Sequence, residues 1–99
     1  MKVISGKVEQ DLVLKEDLRV EGMVVGNVAV ETGKTLIVNG MIVGNLHIKE
    51  ESFVEIHGNV NGDVLNEGGE LKVYGTINGR LFRERGRTIV DTKATVSEM

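Results

Sequence analysis

Three groups of residues in this chain have types and spacings that could do chemistry. Gly33-Lys34-Thr35 has the ending of a phosphate-binding loop. His47 and His57 are the candidate general bases. Arg80, Arg83, Arg85 and Arg87 form a basic run that would suit an acidic protein or an anionic lipid. The phosphate loop fails on its surroundings. It requires a glycine five residues before Gly33, where Val28 stands, and a helix after it, where Leu36-Ile37-Val38 reads as a strand. Gly86-Arg87-Thr88 repeats the triplet, and both are read as coil-closing turns in one register. A catalytic histidine needs a partner that orients it, and the pattern around His47 and His57 indicates none. With no cysteine there is no thiolate metal site and no disulfide framework. No serine-centred nucleophile motif occurs, and the acidic residues are scattered. The sequence therefore assigns no catalytic, cofactor-binding or metal-binding residue, and the chain reads as a non-enzyme with no cofactor.

Composition narrows the partners. A net charge of −3, a pI near 5.4 and three aromatic residues argue against a nucleic-acid surface. No stretch has the length of apolar sequence that a membrane span needs. MKVISGKVEQ lacks the apolar run of a signal peptide. The expected location is the cytoplasm.

The elements that position these residues are legible from the glycines. Thirteen glycines accompany 16 Val, 7 Ile and 8 Leu, with no proline, a composition biased towards strands. Lines started at Leu18, Leu36, Val54 and Leu71 open LRVEGMVVGNV, LIVNGMIVGNL, VEIHGNVNGDV and LKVYGTINGRL. Positions 1, 3, 7 and 11 are aliphatic in every line. Positions 5 and 9 are glycine in every line, as Gly22/Gly26, Gly40/Gly44, Gly58/Gly62 and Gly75/Gly79. A weaker copy, KVISGKVEQDL from Lys2, keeps Gly6 but has Gln10 in place of the second glycine. The apolar period of two means strands. A fixed repeat of 17–18 residues stacks each position on its own copy only if successive coils climb by one strand spacing. The expected fold is a single all-β domain, a single-stranded parallel β-helix with three short strands per coil and five to six coils. Right-handed winding is the general rule for parallel crossovers. The core is expected over about residues 2–90, with a degenerate coil and tail over 89–99.

The odd positions should fill the core as ladders, Leu18–Leu36–Val54–Leu71 and Val24–Ile42–Val60–Ile77 among them. Position 10 holds Asn27, Asn45 and Asp63, which tolerate left-handed turn geometry. Glu31 and Lys49 share position 14 and should pair across coils. Asn66 and Arg83 replace the aliphatic at inward position 13, so the repeat degrades there. Met23, Val25, Met41 and Val43 fall on outward positions 6 and 8, a candidate lateral or membrane-touching patch. Phe82 lies at outward position 12, beside Leu65.

A solenoid has two open edges, which proteins usually blunt with proline, charge, bulges or a cap. This chain has no proline. The edges are therefore candidate surfaces for end-to-end assembly, carried by Val3, Ile4, Leu81, Phe82 and Ile89, with a basic partner patch at Arg80, Arg83, Arg85 and Arg87.

The doubled-glycine repeat L-x-V-x-G-x-V-x-G-x-V, at 17–18 residues over about residues 2–90, resembles the bactofilins, a bacterial family of polymer-forming cytoskeletal proteins. The resemblance implies a right-handed triangular β-helix that polymerises end to end without nucleotide. It also implies a scaffold near the inner face of the cytoplasmic membrane that organises cell-envelope or cell-shape factors. Its partners would be copies of itself and envelope-associated proteins. The family's membrane attachment lies ahead of the core, which here leaves Met1–Ser5. Two other readings compete. A monomeric β-helical binding or adaptor module is one. A hexapeptide-type acyltransferase fits less well, because its aliphatics recur every six residues. An ice-binding array would need stacked threonines, and the six threonines do not fall into one column.

Overall fold

The computed structural model describes residues 1–98. The described residues contain no helix, and all strand pairings are parallel. The chain opens with β1 (Lys2–Ile4), β2 (Lys7–Val8) and β3 (Leu12–Leu14). The next coil is β4 (Leu18–Val20), β5 (Met23–Val25) and β6 (Val28–Val30). The third is β7 (Thr35–Val38), β8 (Met41–Val43) and β9 (Leu46–Ile48). Then follow β10 (Phe53–Ile56), β11 (Asn59–Val60), β12 (Val64–Val73), β13 (Thr76–Val90) and β14 (Thr95–Glu98).

Each strand lies on the strand one coil earlier, giving a β-solenoid of about five turns. The first face stacks β1, β4, β7, β10, β12 and the end of β13, and the second stacks β2, β5, β8, β11, the start of β13 and β14. The third face runs β3, β6, β9, β12 and β13. The molecule measures 29 × 24 × 18 Å.

The period-two pattern decides which side chains are enclosed. Leu18, Leu36, Val54 and Leu71 pair in register as one ladder. Val24, Ile42, Val60 and Ile77 make another, and Val28, Leu46, Val64 and Leu81 a third. Every one of these residues is at most 4% exposed. Burial of stacked aliphatics is the dominant favourable term.

The upper coils depart from three short strands per coil. β12 and β13 run unbroken round the corner between the third and first faces, with register shifts near Glu67. Gly68, Gly69 and Gly86 therefore lie inside strands, and of the expected closing-turn glycines only Gly33 is in a turn. The two GxT triplets are also one residue out of register. Thr35, in Gly33-Lys34-Thr35, lines up through Phe53 and Glu70 with Arg87 rather than Thr88. At the far end β14 pairs with β13, and Val96 packs on the core, so the solenoid extends beyond residue 90. Of the expected tail 89–99, Met99 lies outside the described residues.

Candidate functional site

The histidines and several of the other charged side chains meet in pairs. His47 Nε2 contacts Glu67 Oε1, and His57 Nε2 lies 3.0 Å from Glu55 Oε1. Each histidine thus has a carboxylate partner, contrary to the reading of the sequence. Glu67 sits 20 residues after His47, brought beside it by the coil period, whereas Glu55 is a strand neighbour two residues from His57. His57 also stacks on Tyr74, with centroids 4.9 Å apart and planes 9° from parallel. His47 lines two open hollows on the third face, of about 300 and 270 Å³. Among the described residues no group of three or more His, Cys, Asp or Glu could hold a metal. Lys49 Nζ lies 3.7 Å from Glu31 Oε2, the expected cross-coil pair.

The notable surface features are the two ends. At the N-terminal end β1, β2 and β3 each pair with one strand only, β4, β5 and β6. Their other backbone edges face out of the solenoid. Ile4, Leu12, Leu14 and Leu18 line a cavity of about 210 Å³ where the core opens at this end, with Lys2, Lys15 and Glu16 on its rim. Val3 is 42% exposed beside it.

At the C-terminal end, Leu81 to Val90 of β13 pairs along one side with β12, and β14 pairs with β13 at Thr76, Ile77 and Arg80. Phe82 is 43% exposed and Ile89 is 36% exposed. Leu81 is enclosed in the core, at the inward position 11 that the repeat gives it. The assembly candidates are thus split, with Val3 and Ile4 at one end and Phe82 and Ile89 at the other.

Asn66 closes one corner of the upper core. It is fully buried, yet every polar atom of its amide is used. Its Oδ1 accepts from the Gly69 and Gly68 N–H groups at 2.8 and 3.1 Å. Its Nδ2 donates to Thr88 Oγ1 at 3.0 Å, Gly69 O at 3.2 Å and Arg87 O at 3.4 Å. This is a polar plug rather than a decayed repeat. The four arginines are exposed on this last coil. Residues 80–98 carry five basic and three acidic side chains in a chain of net charge −3. The C-terminal end is therefore basic on an otherwise acidic molecule.

On the sides, Met23, Val25, Met41 and Val43 are half-buried, packed edge to edge in register across β5 and β8. Asn61 Nδ2 rests 3.7 Å from Met41 Sδ, and Asn78 Nδ2 donates to Asn61 Oδ1 at 2.7 Å. The two methionines and two valines form a half-buried apolar stripe on the second face. A longer column on the third face was not read from the sequence. Val13, Ala29, His47, Leu65 and Phe82 stack one above another. Reading down position 12 of successive lines would have found it.

No helix among the described residues is long and apolar enough to cross a membrane. No protein-family model matches the chain, and no curated protein or solved structure matches it.

Proposed function

We propose that this chain is a non-enzymatic, bactofilin-like scaffold subunit that assembles end to end into filaments without nucleotide. The observation that carries this reading is the pair of open ends. An unpaired parallel edge is a ready template for another chain. At the N-terminal end it surrounds an apolar mouth lined by Ile4, Leu12, Leu14 and Leu18, which a stacked copy would remove from water. The sides carry hollows of similar size, among them one of about 300 Å³ lined by Val13, Ala29 and His47, but they present no unpaired strand edge among the described interior strands. Each interior strand is paired on both edges, and the apolar side-face stripe is half-covered. In a bacterial cytoplasm such a filament would organise cell-envelope or cell-shape factors. The basic last coil would offer contact to acidic partners or to the membrane's inner face.

Negative-stain microscopy of the purified chain at several salt concentrations, without nucleotide, tests the reading. Filaments one solenoid wide are expected. Discrete monomers or dimers under every condition would sink it and favour a monomeric binding module.

A further inference from the structure

The repeating glycines have a visible cause. At Gly22, Gly40, Gly58 and Gly75 an added Cβ would collide with a carbonyl oxygen one coil below, that of Gly6, Gly22, Gly40 and Gly58 in turn. Gly26, Gly44, Gly62 and Gly79 form a second column with the same cause, starting over Gln10. Gly33 is explained otherwise, by φ near +80°, and Gly86 by the same φ together with a close approach to the Gly69 carbonyl. Gly6 has neither reason. Its φ lies outside the left-handed range, and nothing stands within 4 Å of where its Cβ would be. Glycine costs conformational freedom relative to alanine, and within one chain Gly6 has no compensating close contact.

Gln10 is the informative contrast. It belongs to the same bottom coil and heads the other column. With no coil beneath it, it carries a side chain. Lack of a lower neighbour thus accounts for a side chain at one corner, and the glycine at the other corner stands unexplained.

We propose that a second copy of this chain seats its backbone against the β1–β2 corner at Gly6, as closely as coils stack within the chain, and leaves the Gln10 corner uncovered. The proposal rests on end-to-end assembly and says where the N-terminal end is touched. A straight continuation of the parallel coil would place a carbonyl under both corners, and the Gln10 side chain excludes that. The second copy therefore covers one corner of this end instead of prolonging the coil over all of it.

The variants Gly6→Ala, Gly6→Val and Gln10→Ala test this, with melting followed at a dilution where every protein is monomeric and assembly followed by microscopy. Both Gly6 variants should melt at or a few degrees above wild type. Their mean filament length should fall at least tenfold. Gln10→Ala should keep wild-type length. Filaments of wild-type length from Gly6→Val would overturn the assignment. So would a loss of more than about 5 °C in Gly6→Ala, which would show that the glycine serves its own chain. If the wild-type chain never polymerises, the end-to-end reading falls and this assignment falls with it. If wild type and Gly6→Val polymerise alike, only the assignment falls.

Discussion

At Gly58 the reason for a glycine is another glycine's backbone. A Cβ there would meet the Gly40 carbonyl well inside van der Waals contact, with no flexible side chain to yield. Gly58→Ala should therefore destabilise the fold by roughly 3 kcal/mol, the upper range for overpacking. A urea or thermal melt measures it, and a wild-type midpoint would show that the coils can separate freely. The recurrence of these glycines was plain in the sequence. Asn66 shows the opposite case. As a letter it broke an aliphatic column. In the structure it is a buried, fully hydrogen-bonded amide tying Gly68, Gly69, Arg87 and Thr88 together. Its partners lie up to 22 residues away, so no local pattern could have announced it. The His47–Glu67 contact was hidden for the same reason.

Among elements, the corner between the second and third faces is held by a ladder of side-chain oxygens. Asn27 N–H donates to Asp11 Oδ1 at 2.8 Å, Asn45 N–H to Asn27 Oδ1 at 2.9 Å, Asp63 N–H to Asn45 Oδ1 at 2.9 Å and Arg80 N–H to Asp63 Oδ1 at 2.8 Å. The sequence placed Asn27, Asn45 and Asp63 correctly at a corner but for a different reason. None of them has a positive φ, and among the described non-glycine residues only Glu51 does. What selects Asn or Asp is a short side chain whose oxygen accepts from the coil above. Replacing Asn45 distinguishes the two causes. Asn45→Ala and Asn45→Gly should each lose about 1 kcal/mol, or roughly 4–8 °C of melting temperature, while Asn45→Asp stays near wild type. If Asn45→Gly melts with wild type and Asn45→Ala does not, corner geometry matters and the ladder does not. The fusion of strands in β12 and β13 also belongs to this scale. The repeat shortens from 18 residues to 17 at this corner: Asn66 pairs with Ile48, 18 residues earlier, and Glu70 with Phe53, 17 earlier, so β12 crosses in one residue fewer than the turn between β9 and β10.

For the whole molecule the outcome depends on its two ends. Phe82 stands 43% exposed on the last coil, next to Leu65 of the coil before. If the C-terminal end joins another copy, Phe82→Arg should leave the fold within about 1 kcal/mol of wild type and shorten the filaments. Circular dichroism and filament-length distributions report the two effects separately. Wild-type lengths would remove Phe82 from the contact. The sequence by itself determined the β-solenoid, the coil length and nearly every enclosed residue. Stacking like on like at one strand spacing converts a linear period into a spatial one, so local alternation and repeat length suffice. Only the tertiary structure decided which partners meet across coils, as in the Asn66 plug, the acceptor ladder and the His47–Glu67 contact. It alone showed that the core opens at the N-terminal end. Those features depend on which residues have a neighbour above or below, and a repeat read along the chain treats first, middle and last coils alike.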